Sequence, residues 1–228
     1  MKNKKVLQDW LLNYIPTVLC AALILYFAIV REQHFIHTLP TLITLAVQLL
    51  LVFADRRAFL VGGTNSLIYG ASYFIKDLYF SAFSAVFISA PMQFFSFFRW
   101  RKGAKKEGTA LRIMPWYITL LWCLGTVAAW GVLLLCAYSL FETAAYPTLD
   151  ALMFAIGITV TLLAAFGYVE SQYLNILNSS FALLLWILYT IKDPANMNYL
   201  IISVYNLFRV IQTSVNWTAM YRASKKRS

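Results

Sequence analysis

From Ile113 to Leu140 this chain carries no Asp, Glu, Lys or Arg, and runs of similar character recur along its whole length. A helix needs about 20 mostly apolar residues to cross the hydrocarbon core of a bilayer. In lipid every backbone N–H and C=O must be satisfied internally, which leaves helices and closed barrels as the spanning structures. Runs this long read as helices, so the chain is expected to be an all-α membrane protein. Composition agrees: 61% of the 228 residues are hydrophobic and 12% are charged, against about a quarter charged in a soluble domain.

Eight spans are expected, at about 15–31, 38–54, 57–75, 78–100, 113–140, 148–168, 170–191 and 197–221. Short charged connections such as Asp55-Arg-Arg57 and Lys76-Asp77 imply tight antiparallel hairpins. Val6, Leu7, Trp10, Leu11 and Tyr14 recur at helical spacing, either as an interfacial helix or as an extension of the first span. The net charge of +10 is gathered in clusters: Lys2, Lys4 and Lys5, then Arg56-Arg57, then Arg101 to Lys106, then Lys225-Lys-Arg227. With eight spans all four clusters fall on one side, and the opposite connections are balanced or acidic. The positive-inside rule then puts both termini in the cytoplasm. Such clusters suit anionic lipid headgroups, so the bilayer is the expected partner and nucleic acid is not.

Cys20, Cys123 and Cys136 lie in apolar runs without CxxC or metal spacing. His34 and His37 share a short polar connection that lacks the further ligands a metal site requires. No metal or cofactor is therefore expected. The first apolar run ends in Arg31-Glu-Gln without a small-residue cleavage pattern, so no cleavable signal peptide is expected. No HExxH, paired in-membrane carboxylate or GxxxxGK is present, which argues against an enzyme, a catalytic site or an ATP motor.

Three short matches recur in the same order. Pro40-Thr-Leu42 pairs with Pro147-Thr-Leu149, Asn65-Ser66 with Asn178-Ser179, and Ile75-Lys-Asp77 with Ile191-Lys-Asp193. They define two three-helix repeats separated by one helix, an odd number that makes the repeats parallel. The expected organisation has five parts. Residues 1–36 form the N-terminus and an extra helix, and 37–100 the first repeat. Residues 101–141 form a basic loop and linker helix, 142–222 the second repeat, and 223–228 a basic tail.

Polar residues inside the spans supply the candidate site. On the last span Asn206, Gln212, Thr213 and Asn216 lie within roughly 60° of Arg209 on a helical wheel. Such a stripe cannot face lipid, and an intramembrane Arg is a functional candidate by default. The alternative is a packing contact that locks two helices together. Gln172, Asn175 and Ser179 form a second stripe on span seven, while Asn178 points to a different side and reads as an interhelical contact. Gln93 and Trp100 share a face of span four, where Gln93 is the repeat counterpart of Arg209. Gln48 and Asn65 complete the expected substrate-binding set.

The run Leu51-Val-Phe-Ala-Asp-Arg-Arg57, continuing through Tyr79 to Pro91-Met-Gln-Phe-Phe-Ser-Phe-Phe-Arg-Trp100, resembles the Pnu family of bacterial vitamin transporters. So does Leu149-Asp-Ala-Leu152 running on to Glu170. The best-known members carry nicotinamide riboside, and the resemblance covers about residues 38–217. It implies a relative of the SWEET sugar-transporter fold in the bacterial cytoplasmic membrane. It also implies facilitated diffusion by a homotrimer, with a cytoplasmic kinase trapping the substrate. Where the riboside carriers have a Trp-x-x-Trp pair after the glutamate matched by Glu170, this chain has Gln172 and Asn175. In a register shifted by one residue, Tyr173 takes the first position. Thr161 stands for a usual glutamine, and Arg209 for a usual asparagine. Two tryptophans would attract a cationic ring, whereas Gln and Asn read a nucleobase edge, and Arg209 would repel a cation. These departures favour a neutral nucleoside or deoxynucleoside, or a vitamin with an acceptor-rich or anionic part, over nicotinamide riboside. The alternatives are a carrier of another vitamin (nicotinamide riboside itself, thiamine or riboflavin) and a non-transport membrane protein.

Overall fold

The computed structural model describes residues 2–103, 111–140 and 146–225, which are helical apart from turns and one isolated bridge. Lys105, Lys106, Glu142 and the end of the tail lie outside them. The helices are α1 (Lys2–Val30), α2 (Phe35–Val52), α3 (Arg57–Ile75), α4 (Tyr79–Phe83), α5 (Ala90–Gly103), α6 (Trp116–Leu140), α7 (Pro147–Ala165), α8 (Glu170–Lys192) and α9 (Met197–Lys225). A π-helical stretch, Ser84–Ser89, joins α4 to α5, and a 3₁₀ turn, Pro194–Asn196, precedes α9. Counting α4, the π stretch and α5 as one rod gives the eight helices expected.

Six of these are long and apolar enough to cross a membrane: Leu11–Val30, Phe35–Val52, Tyr79–Trp100, Trp116–Ser139, Pro147–Ala165 and Glu170–Lys192. The other two, α3 and α9, do not reach that apolarity, and both are packed among several neighbours. The polar stripe is thus matched by burial against protein, which lets a helix of low hydropathy sit in a bundle.

The tight connections share one device. Glu32, Ala54, Asp77 and Gly167 follow α1, α2, α3 and α7 and adopt left-handed backbone, with φ of 49°, 52°, 56° and 78°. In each case the next N–H reaches back five residues, as Asp55 does to the Leu50 carbonyl and Leu78 to that of Tyr73, both at 3.0 Å. This satisfies helix-end carbonyls that lipid could not. At the start of α2, His34 accepts from the Ile36 N–H at 3.3 Å, so the helix begins at Phe35 and Pro40 lies inside it. In α7, by contrast, Pro147 stands at the first turn, where its missing N–H costs nothing.

Each repeat packs in chain order: α2 on α3 and α3 on α5, then α7 on α8 and α8 on α9. The repeats meet along two seams, α2 against α9, and α4 and α5 against α7. The six rods form a ring of parallel three-helix repeats. α1 covers the α2–α9 seam from outside, and α6 packs on α7 alone among the described helices. α3 admits the α4–α5 rod closely because of its glycines. A Cβ on Gly62 would meet Gln93 Oε1 at 2.0 Å, and one on Gly70 would meet Val86 of the π stretch at 2.3 Å.

Candidate functional site

A cavity of about 190 Å³ opens between the repeats, in the middle of the bundle and toward the α3–α4 end. α3 contributes Ser66, Tyr69 and Tyr73, and the next rod contributes Ser81, Ser84, Ala85 and Ser89. Met153, Phe154 and Gly157 of α7 and Asn178 of α8 complete it. Three of these residues belong to the π stretch. An α-helix sets residues five apart on different sides, whereas the wider π turn brings Ser84 and Ser89 to one wall. π segments of this kind are frequent at functional sites.

The lining is neutral and two-sided in character. Tyr69, Tyr73 and Phe154 supply aromatic rings, Tyr69 stacked on Tyr73 with centroids 5.2 Å apart, and four serines and an asparagine offer hydrogen bonds. The Asn178 Oδ1 is buried and has no protein partner among the described residues, which leaves an acceptor available to a ligand or water. Gln93 supports the floor by donating to the Ser66 hydroxyl at 2.9 Å. No Lys, Arg or His is among the lining residues.

Both ends of the ring are closed by contacts between repeats. At the α3–α4 end, Tyr199 stacks on Trp186 with centroids 4.2 Å apart, and its hydroxyl joins His37 and Ser72. Lys76 donates to Asn196 at 2.6 Å and accepts through its carbonyl from Tyr189 at 2.8 Å. Burial lowers the Lys76 pKa from the ordinary lysine value, and the nearby Asp193 opposes the shift. At the opposite end, Trp100 lies between Phe59 at 4.9 Å and Trp217 at 5.4 Å. Trp217 donates to the Leu51 carbonyl, and Leu111 and Val169 seal this cluster from the linker and the α7–α8 turn. A two-bond bridge fixes the linker there, Arg112 N–H to Gly167 and Val169 N–H to Arg112.

The expected site residues divide accordingly. Arg209 and Gln212 do not face the cavity. Arg209 is fully buried against α1, donating to Asn13, to Thr17 at 2.7 Å and to Gln212 at 2.6 Å. The guanidinium also lies 5.0 Å over the Tyr205 ring. The extra helix therefore takes up the charge, and the reading of Arg209 as a cavity wall is corrected to the helix-locking alternative. Trp100 is likewise a closure residue, packed too tightly to line the cavity. Asn65 ties α3 to α2 through Pro40 and the Thr44 hydroxyl at 2.9 Å.

Gln172 and Ser179 are buried and Asn175 half-buried, all on the side of α8 turned from its exposed residues Tyr173, Leu177 and Leu184. Gln172 and Asn175 lie one to two turns from Asn178, toward the Trp100 end. Asn206 has its Oδ1 buried without a partner among the described residues. It shares the inner side of α9 with Thr213, two turns on. Gln48 is half-buried on the α2 stripe that carries Thr41 and Thr44. Asn178, set aside from sequence as a helix-packing residue, is instead the α8 residue that lines the cavity. Glu170 accepts from the Met114 N–H at 2.9 Å and so holds the linker, outside the cavity.

Comparison with known proteins fits this arrangement. A solved structure described as the vitamin B3 transporter PnuC superposes with a TM-score of 0.78, covering 91% of this chain and 90% of the other at 18% identity. That likeness carries the fold. Comparison with curated proteins gives no match. The sequence model of the nicotinamide mononucleotide transporter family matches residues 34–219, from the start of α2 to near the end of α9. The chain belongs to the nicotinamide mononucleotide transporter family and is a multi-pass membrane transporter, not an enzyme.

Proposed function

We propose that this transporter is a facilitative carrier for a nucleoside-like vitamin of the nicotinamide riboside class. The observation that carries the reading is the lining of the inter-repeat cavity. Tyr69, Tyr73 and Phe154 suit a flat heteroaromatic ring. Ser66, Ser84, Ser89 and the unpartnered Asn178 acceptor suit ribose hydroxyls and a carboxamide. Gln172, Asn175, Ser179, Asn206 and Gln48, buried or half-buried, extend the polar path in this reading. A phosphate would enter a cavity lined by no Lys or Arg, an unfavourable burial of charge. The riboside is therefore preferred to the mononucleotide of the family description.

A neutral deoxynucleoside is the second reading. Arg209, engaged by α1, does not act against a cationic ligand, but Gln172 and Asn175 in place of the tryptophan pair favour the neutral one. Lacking a nucleotide-binding loop, the carrier depends on a cytoplasmic kinase to trap its substrate. The apolar surface of α6, exposed along most of its length, suits packing in a homotrimer. Both termini lie on the cytoplasmic side of the bacterial membrane in this reading, following the basic clusters.

The test is a binding screen of purified protein against nicotinamide riboside, its mononucleotide, deoxynucleosides, thiamine and riboflavin, followed by uptake into proteoliposomes. Riboside binding weakened by Asn178→Ala is expected. Preference for the mononucleotide or for a deoxynucleoside refutes the substrate assignment.

A further inference from the structure

One buried carboxylate beside the cavity has no part in the reading above. Asp150 lies in the first turn of α7 and is 1% exposed. Met153, Phe154 and Gly157, which line the cavity, follow at helical spacing, so Asp150 continues the same stripe. Three groups reach its oxygens: the N–H groups of Phe80 and Ser81, each at 3.1 Å, and the Ser81 hydroxyl. All three are neutral donors from the other repeat, a set that suits a carboxylate. Ser81 also lines the cavity, so one residue is shared by the carboxylate and the cavity wall.

Among the described residues no cation pairs with Asp150. The ion pair among the described residues is Asp55–Arg57, in the α2–α3 connection. Lys76 is bonded to Asn196, and Lys192 lies over the Tyr146 ring. A buried carboxylate within a membrane bundle is costly unless a cation compensates it, and such residues mark substrate or ion paths. The residues lining the adjacent cavity include no cation, and its aromatic rings suit one.

We infer that Asp150 is a specificity-determining residue: its negative charge selects a cationic aromatic ligand over a neutral one of the same shape. This rests on the cavity being the substrate site. Nicotinamide riboside and its 1,4-dihydro form are the probes, since they share size and hydrogen-bonding groups but differ in ring charge. Equilibrium binding to purified protein in nanodiscs is measured for the wild type, Asp150→Asn and Asp150→Glu.

The wild type is expected to bind the cationic form about tenfold tighter or more, a Coulombic effect of a nearby unit charge. Asp150→Asn is expected to lose that preference by weakening the cation alone, and Asp150→Glu to keep it. Equal binding of both forms by the wild type overturns the inference without any variant. So does an Asp150→Asn protein that keeps the preference, or one that folds but loses both ligands equally, the mark of a purely structural role. A wild type that binds neither form overturns the substrate reading, and this inference with it.

Discussion

Asn13 carries the attachment of α1 to the rest of the bundle, and replacing it by alanine tests that role. Its Oδ1 accepts from Gln212 Nε2 at 2.7 Å and from Arg209 Nη1 at 3.4 Å, while its backbone carbonyl accepts from Arg209 Nη2. Asn13→Ala removes these two side-chain bonds to α9. Interhelical hydrogen bonds in membranes contribute about 0.6 kcal/mol on average and up to about 1.7, so two lost bonds cost roughly 1–3 kcal/mol. The Arg209 Nε already lacks a partner among the described residues, so losing a further acceptor pushes the cost toward the upper end of that range. Arg209→Met removes the charge together with its demand for acceptors and leaves the Asn13–Gln212 bond in place. It should therefore cost less than Asn13→Ala, and the double variant should be more stable than Asn13→Ala alone. The assay is thermal unfolding of the detergent-solubilised protein followed by size-exclusion chromatography, with substrate affinity measured in parallel. Affinity should stay within a few-fold throughout. An Arg209→Met protein that melts normally but no longer binds substrate would refute the reasoning and return Arg209 to the transport path.

Other substitutions probe the cavity walls. Gly70→Ala places a methyl group 2.3 Å from Val86 Cγ2 and should cost about 1–3 kcal/mol by overpacking, with recovery when Val86→Ala is added. Gly62→Ala forces Gln93 off the Ser66 hydroxyl and should weaken substrate binding through the cavity floor, read by titration calorimetry. Asp55, held below the ordinary carboxylate value of 3.8 by its hydrogen bond to Arg57, gives a small pH effect. Its stabilisation is present above that value and is lost as pH falls through the lowered folded value. Asp55→Asn should thus change the melting temperature slightly at pH 7 and not at all in strong acid.

The solvent, the number of rods and their duplication are legible without any tertiary contact. Each of these is written in local patterns: apolar run length, the spacing of charge clusters and short motifs repeated in order. Even the polar stripes on α8 and α9 were legible, because a helical wheel reports which residues share a side. It does not report which neighbour that side meets. Arg209 shows the difference, since its partners Asn13 and Thr17 lie at the far end of the chain, on a helix outside the repeats. The packing of α1 over the α2–α9 seam alone absorbs the charge there and keeps it out of the cavity lining.

The same limit hid the cavity. Ser84 and Ser89 share a wall because the rod winds as a π-helix opposite Gly70, and α-helical spacing scatters them. Three of the four left-handed helix ends fall on Glu32, Ala54 and Asp77, residues that carry no turn signature. Asp150 shows no partner in its own stretch of sequence, because Phe80 and Ser81, which donate to it, are brought there by α4. Local spacing fixes which residues share a helix face, but contacts between residues far apart in the chain exist only once the repeats close on each other.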